Sequence, residues 1–272
     1  MKHLLKQLAV AVGIAAGAMS VQAAPTIITS WNYSINSLFL SANAGVNGVG
    51  SSTLSWGSGT SGPSSLVIGN NPANGAVTTY LGGGLIPPAF WAANNTVTHN
   101  NNPINGTTLT NATIRSTLNL SALTPVNTPG VPGLLGAPLL VNIGFTETPN
   151  SGTCAVPTSP TPCNDIFVLT GGLLNQAFNY DADGTGLVTY FFNAFPSTGG
   201  ILSVLPANQC AAAGQPAGCI GFTTPENQST TLGFSFTIST NPFQVPEPGS
   251  LALVALGMVG LAGLLRRRKV SV

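Results

Sequence analysis

The segment Thr230-Thr231-Leu232-Gly233-Phe234-Ser235-Phe236-Thr237-Ile238 decides the fold class of this chain. Apolar residues stand at every second position, and hydroxyl residues or glycine stand between them. A period of two places alternate side chains on opposite faces of an extended chain. The segment therefore predicts a β-strand with one face in a core and the other in solvent.

Other short runs on both sides of this segment show the same character. They carry β-branched, aromatic or alternating apolar residues, and clusters of Gly, Pro, Asn and Ser separate them. The predicted strands are Ile27–Ile35, Ser64–Ile68, Thr113–Leu120, Val141–Phe145, Ile166–Thr170, Leu187–Phe192, Ile201–Leu205 and Thr230–Ile238. No comparable helical pattern occurs between them, so the chain is predicted to be all-β.

Many short strands joined by turns are typical of a β-sandwich or jelly-roll-like domain. Residues 24–245 are long enough for one such domain. Leu123–Pro138 contains four prolines and three glycines and is predicted to be an extended connection between two halves of one sheet system. A break into two domains near this segment is the alternative. We favour a single domain because neither half carries an evident complete core.

The four cysteines form two close pairs, Cys154 with Cys163 and Cys210 with Cys219. Eight residues separate the members of each pair. In an oxidising compartment these pairs predict two local disulfides, although four cysteines allow three connectivities. A zinc site is the alternative, but the spacing is not of the CxxC type.

The amino terminus has the three parts of a secretory signal peptide. Lys2 and Lys6 precede the apolar run Leu8–Ala18. Two small residues, Val21 and Ala23, follow it. We expect cleavage after Ala23, so residues 1–23 are assigned to the signal peptide and the secretion translocon is a predicted partner.

The charge of the body is opposite in sign to that of the ends. Six of the seven basic residues lie at the two ends, and only Arg115 lies in the body. Six acidic residues lie between Ala24 and Glu247, so the formal charge of this stretch is −5. Binding to nucleic acid needs clustered Lys and Arg, and the composition excludes it as a partner.

The carboxyl terminus combines a short motif, an apolar run and a basic cluster. Pro246-Glu247-Pro248-Gly249 precedes the apolar run Leu251–Leu265, and Arg266, Arg267, Arg268 and Lys269 follow. A run of this length lies at the short limit for a membrane-spanning helix, and the basic cluster is expected on the cytoplasmic side.

This arrangement over residues 246–272 resembles the PEP-CTERM sorting signal of Gram-negative bacteria. The resemblance implies transient anchoring in the inner membrane through a transmembrane helix, cleavage near Glu247 by an exosortase, and export to the surface. An ordinary single-pass anchor is the alternative.

A second resemblance is carried by Thr98-His99-Asn100-Asn101, which is similar to the motif of the THxN family of PEP-CTERM proteins. Leu54–Gly57, Ser64–Leu66 and Ala217–Phe222 support it. The family implies a β-rich surface domain and supplies no mechanism. We predict that these four residues bond one another and the backbone in a tight loop. Ligand recognition or catalysis by His99 are the alternatives.

Asn179-Tyr180-Asp181-Ala182-Asp183-Gly184 matches the beginning of a calcium-binding loop, with Asn179, Asp181 and Asp183 as candidate ligands. Tyr190 stands where an EF-hand needs an acid, and Asp-Gly also favours a hairpin turn. The turn is the favoured interpretation, calcium is the alternative, and no other cofactor is predicted.

These features predict a non-enzymatic exported protein of the cell surface or matrix. No catalytic motif stands out, and Glu147 and Glu226 lie too far apart in sequence to suggest a glycosidase pair. A structural or adhesive role with exopolysaccharide or biofilm is the leading hypothesis. A calcium-dependent carbohydrate-binding module that uses exposed aromatic residues is the second, and an exported hydrolase is the third.

Overall fold

Strands dominate the computed structural model, which describes residues 24–150, 153–154, 163–197 and 203–243. They contain 54% of the described residues, so the body is all-β as predicted. The strands are β1 (Ser30–Ala42), β2 (Thr53–Trp56), β3 (Ser64–Gly69), β4 (Ala73–Tyr80), β5 (Ala92–Asn101), β6 (Asn111–Thr124), β7 (Leu134–Thr146), β8 (Asp165–Gly171), β9 (Gln176–Tyr180), β10 (Val188–Pro196), β11 (Ser203–Val204), β12 (Ile220–Thr224) and β13 (Gln228–Ser239). A 3-10 turn at Pro88–Phe90 and one short helix, α1 (Ala207–Ala212), complete the described elements.

The thirteen strands form one continuous hydrogen-bonded sheet. Its order is β11-β12-β8-β7-β6-β1-β4-β13-β5-β3-β2, and β9 and β10 extend it from β13. All pairings are antiparallel except the short contact between β13 and β4 at Ile238 and Ser239. Because β4 pairs with both β1 and β13, it joins the two halves of the sheet.

The sheet folds so that its two halves face each other across the core. Tyr33 of β1 lies 4.7 Å from Phe236 of β13, and Phe145 of β7 lies 5.2 Å from Trp56 of β2, measured between ring centroids. Two large apolar clusters fill the space, one around Trp31 and one around Trp56. The alternating strands bury one face here and leave the other polar, which is why period two appears in the sequence.

Every predicted strand overlaps an observed one, and Thr230–Ile238 lies within β13. The prediction for Leu123–Pro138 is wrong. β6 continues to Thr124, β7 begins at Leu134, and the two pair directly as neighbours. Most of the prolines and glycines therefore lie in the hairpin loop between β6 and β7. They do not form a connection between the two halves of the sheet. The structure has a single large sheet. The β-sandwich or jelly-roll-like class and the domain limits at residues 24 and 245 stay predictions.

Both predicted disulfides are present. Cys154 pairs with Cys163, and Cys210 pairs with Cys219. Cys210 belongs to α1 and is fully buried in a small third cluster with Ile166 and Val168 of β8. The second disulfide therefore holds α1 and the segment before β12 against the edge of the sheet.

Replacing both Cys210 and Cys219 with alanine is expected to lower the free energy of unfolding by about 2.5 kcal/mol, because the disulfide closes a loop of about ten residues in the unfolded chain. Chemical denaturation of the oxidised full chain and of the variant measures the difference. The Cys154→Ala, Cys163→Ala variant is the matched control for loop length. A smaller loss is expected there because Cys154 lies outside the apolar clusters. Equal stability of the Cys210 and Cys219 variant and the natural chain would contradict the expectation.

The predicted signal peptide and the predicted sorting segment, residues 1–23 and 246–272, lie outside the described residues. Within the part of the chain that the structure describes, no helix has the length and apolar character to span a membrane.

Candidate functional site

Thr98-His99-Asn100-Asn101 lies at the end of β5 and not in a tight loop as predicted. β5 runs between β3 and β13, and His99 pairs with Leu66 on one side and Thr230 on the other. The backbone of this segment is therefore held by neighbouring strands on both sides. Pairing of this kind replaces the local side-chain bonds that Asn and Thr would otherwise offer the chain.

The pleat of β5 divides the four motif residues between two faces. Thr98 and Asn100 point outward. The Thr98 hydroxyl lies 2.8 Å from the Thr231 hydroxyl, and Asn100 donates to Ser65 Oγ at 3.0 Å and accepts from Ser229 Oγ at 2.6 Å. This ladder of hydroxyl and amide groups crosses β3, β5 and β13, and we call it the outer polar ladder.

His99 and Asn101 point inward and are buried. The His99 ring stacks on Trp56 at a centroid distance of 5.8 Å and an interplanar angle of 10°. Phe145 meets the same ring edge-on at 4.9 Å. Two aromatic side chains thus fix the orientation of the imidazole.

Three acidic side chains lie close together beside this histidine, and Asp165 is the one recorded nearest to the ring. Glu147 directly follows β7, Asp165 begins β8, and Glu226 lies between β12 and β13. One carboxylate oxygen from each lies within 4.8 Å of the other two. His99 Nε2 lies 3.9 Å from Asp165 Oδ2. We call His99, Glu147, Asp165 and Glu226 the acid–histidine cluster.

The cluster was not predicted from the sequence. The sequence interpretation placed no acid near His99 and treated Glu147 and Glu226 as unrelated. The only available signal was indirect, because Asp165 directly precedes a predicted strand, Glu147 follows one by two residues, and Glu226 precedes one by four residues.

Neighbouring donors hold two of the carboxylates in place. Trp56 Nε1 donates to Glu147 Oε2 at 3.0 Å. The Thr148 backbone N–H donates to Asp165 Oδ1 at 2.9 Å, and its hydroxyl lies 3.3 Å from the same oxygen. These bonds leave the second oxygen of each group, Glu147 Oε1 and Asp165 Oδ2, without a hydrogen-bond partner among the residues that the structure describes.

Further buried polar atoms at the cluster are also unpartnered. Both ring nitrogens of His99 and both carboxylate oxygens of Glu226 make no hydrogen bond within the described residues. Asn101 donates to the Thr224 carbonyl at 3.0 Å, while its own Oδ1 has no donor. Buried polar atoms are normally paired, so such a concentration is a distinctive property of this site.

Burial also changes the protonation of the cluster. Loss of solvent raises the pKa of Glu147 to about 7, and the nearby Glu226 adds to the shift. Loss of solvent and the charge of Glu147 raise the pKa of Asp165 to about 8. Burial raises the pKa of Glu226 and lowers that of His99 to about 3, so the imidazole is neutral at neutral pH.

No basic side chain of the described residues neutralises these acids. Arg115 on β6 is the only Lys or Arg between residues 24 and 243, and the only contact of ion-pair length in the described part of the chain is that of His99 with Asp165. The carboxylates can therefore become neutral by binding protons, or they can be balanced by a cation that the protein does not itself supply.

Two hydrolytic mechanisms use side chains of these types, one with a nucleophile activated by a histidine base and one with a pair of glycosidase carboxylates. The site differs from both. Neither ring nitrogen of His99 bonds a hydroxyl group, as a nucleophile–base pair would. Glu147 and Glu226 are close enough for a glycosidase pair, but Glu226 is only 8% exposed and Asp165 is only 1% exposed.

The predicted calcium ligands lie elsewhere, in the hairpin between β9 and β10. Asp181 Oδ1 accepts the backbone N–H of Gly184 at 2.7 Å, and Asp183 Oδ1 accepts that of Thr185 at 2.9 Å. These bonds build the hairpin turn that the Asp-Gly sequence favours. Asn179 lies in β9 and accepts the Thr189 hydroxyl at 2.8 Å. Calcium at these three residues stays a prediction.

The fold defines an all-β protein with two disulfides, and the carboxyl-terminal segment assigns it to the exported class. Residues 244–269 match the PEP-CTERM protein-sorting motif, and this match includes Pro246, Glu247 and Pro248 and the basic cluster. The motif implies export with a membrane-anchored stage and exosortase-type sorting toward the cell surface. A search of curated proteins found no similar sequence.

Proposed function

We propose that the mature body is a non-enzymatic protein of the cell surface or extracellular matrix of a Gram-negative bacterium. The observation that carries the proposal is the sorting motif at residues 244–269. The chain passes through the secretion translocon, is held by its carboxyl-terminal segment, and is released by the exosortase to associate with exopolysaccharide in a structural or adhesive role. The likeness to the THxN family belongs to this proposal.

The outer polar ladder supports a role beside hydrated polymer. Thr98, Asn100, Thr231, Ser65 and Ser229 present hydroxyl and amide groups on neighbouring strands. Such groups exchange hydrogen bonds readily with water and with the hydroxyl groups of polysaccharide. Because the strands that carry them are held on both sides, the ladder is also rigid.

Specific sugar binding through stacked aromatic rings has less support. All nineteen aromatic residues of the chain lie among the described residues, and each is buried or only partly exposed. Tyr180, which lies inside the predicted calcium loop, is only 5% exposed. A weak, distributed interaction through hydroxyl and amide groups therefore fits the surface better than a stacking pocket.

Substituting Glu247→Gln in the full chain is expected to block processing and to retain the protein in the inner membrane, because the change removes the charge of the motif that the exosortase recognises. The measurement is mass spectrometry of the protein in inner-membrane, surface and medium fractions of a host with an exosortase. Pro242→Ala, just outside the matched residues, is the control and is expected to be processed normally. Normal release of the Glu247 variant would overturn the sorting part of the proposal.

The non-enzymatic part has a separate test. Surface-released protein is incubated with the host's exopolysaccharide, and both the polymer length and the protein that sediments with the polymer are measured. Unchanged polymer length with co-sedimentation supports a matrix role. Shortened polymer with the natural chain, but not with His99→Gln, would instead assign a hydrolase.

A further inference from the structure

We infer that the acid–histidine cluster binds one divalent transition-metal ion, of the class represented by zinc, through Glu147, Asp165, Glu226 and His99. This site lies on the side of β5 opposite to the outer polar ladder. It does not depend on the proposed function, because it concerns how the body is held together rather than where it is sorted.

The side chains of the cluster are close enough for one ion to draw them together. The three carboxylate oxygens lie within 4.8 Å of one another, and His99 Nε2 lies 3.9 Å from Asp165 Oδ2. Two ligands on opposite sides of an ion with bonds of about 2.0–2.2 Å are at most about 4.4 Å apart. The atoms that all lie within 4.8 Å of one another belong to the three carboxylates and do not include His99. Ligands around a tetrahedral zinc ion are about 3.4 Å apart, so binding requires the four side chains to move toward one another by about an ångström.

The unpartnered atoms are the second, independent observation. His99 is fully buried, and its Nε2 points at the carboxylates without forming a hydrogen bond. Glu147 Oε1, Asp165 Oδ2 and both Glu226 oxygens are likewise unpartnered. A metal ion would satisfy one atom from each of the four side chains at once, whereas a single proton can join only two of them.

Charge and ligand type decide the class of ion. When the three carboxyl groups are ionised they carry a charge of −3 beside a neutral imidazole, and a divalent cation offsets most of that charge. Imidazole is a preferred ligand of zinc and related transition ions, whereas calcium and magnesium take oxygen ligands almost exclusively. The histidine therefore favours zinc over calcium here.

The surrounding contacts resemble the support that metal ligands usually have. Trp56 Nε1 donates to Glu147, and Thr148 donates to Asp165, each to the oxygen that the ion would leave free. Such outer contacts fix ligand orientation. The ion would connect β5 with the ends of β7 and β8 and with the loop before β13, so its expected effect is on stability.

The test uses the full chain purified in detergent after export, stripped with EDTA and supplied with Zn²⁺, Mn²⁺ or Ca²⁺. We expect about one zinc ion per chain after desalting, measured by mass spectrometry of the elements. Saturating zinc is expected to raise the melting midpoint by about 5–10 °C. Co²⁺ in place of zinc is expected to give visible absorption bands that change in His99→Gln, because the imidazole is a ligand.

Asp165→Asn and Glu226→Gln are expected to lose both the ion and the thermal shift, while the metal-free variants stay folded because each removes a buried charge. Asp181→Asn, an equivalent change in the hairpin turn, is the matched control and is expected to keep both. If Asp165→Asn does not fold, Glu226→Gln decides. The proposal is overturned if the natural chain retains no zinc, if Glu226→Gln retains it as well as the natural chain, or if only Asp181→Asn loses an ion.

Discussion

Replacing Trp31 with alanine is expected to lower the free energy of unfolding by about 4 kcal/mol, the largest change that we expect from a single substitution. The Trp31 side chain of β1 is fully buried and meets Tyr180 and Tyr190 edge-on at 5.0 Å and 5.2 Å. Its Nε1 donates to Thr79 Oγ1 at 2.9 Å. Removing the indole ring leaves a cavity between the two halves of the sheet. The buried Thr79 hydroxyl also loses one hydrogen-bond partner.

The measurement is chemical denaturation of the full chain, followed by intrinsic fluorescence and by circular dichroism. Trp91→Ala is the control, since Trp91 is only partly buried and contacts Phe195 at 4.7 Å near the surface. We expect a loss of about 1 kcal/mol there. Comparable losses at the two positions would show that the cluster around Trp31 does not hold the halves of the sheet together.

The second large effect is a loss of stability at alkaline pH in the metal-free protein. The pKa values of Glu147 and Asp165 rise from 4.5 and 3.8 to about 7 and about 8 on folding, through burial and mutual repulsion. At pH values between the pKa of each group in the unfolded chain and its pKa in the folded chain, the folded chain binds more protons. The free energy of unfolding therefore falls as pH rises. We expect a decrease of about 3 kcal/mol between pH 6.5 and pH 9.

Protonation of His99 makes the free energy of unfolding fall as pH decreases, and it does so below the range of pH 6.5 to 9. Burial lowers its pKa from 6.5 to about 3, so its contribution to stability is complete above pH 6.5 and is lost as pH falls toward 3. Titration above pH 6.5 therefore isolates the carboxyl groups. The contribution of Glu226, whose pKa is also raised, has the same sign as that of the other two acids.

Denaturant unfolding in EDTA at several pH values measures this dependence. Asp165→Asn is expected to flatten the curve, because it removes the group whose pKa is raised to about 8. Asp183→Asn is the control with the same chemical change. Hydrogen bonds from Thr185 and Thr26 hold the pKa of Asp183 at about 2, well below the window. Stability that is constant or rises between pH 6.5 and 9 would contradict the burial of ionisable carboxyl groups in the cluster.

Local features of the sequence were sufficient for much of the fold. The alternation from Leu232 to Ile238 predicts β13, because period two is a property of one strand and needs no knowledge of its partners. Both disulfides were predicted from short spacing in an exported chain. The sorting segment was predicted from contiguous residues and matches at 244–269.

β5 shows where local patterns fail. Ala92–Asn101 contains four Asn residues and only one large aliphatic residue, Val97, so its composition favours loops. It is a strand because β3 and β13 pair with it on both sides and satisfy its backbone groups. The same pairing makes Thr98–Asn101 a strand segment and not the expected loop. Thr98 and Asn100 therefore lie on its outer face, and His99 and Asn101 lie on its buried face.

The sequence by itself determined that the chain is exported, all-β and disulfide-linked, since each of these properties depends on neighbouring residues. Only the tertiary structure decided that Glu147, Asp165 and Glu226 meet at His99. Their approach depends on the order of β5, β7, β8, β12 and β13 and on the folding of one sheet onto itself. Strand order arises from burial summed over the whole core, so no short stretch of residues encodes it.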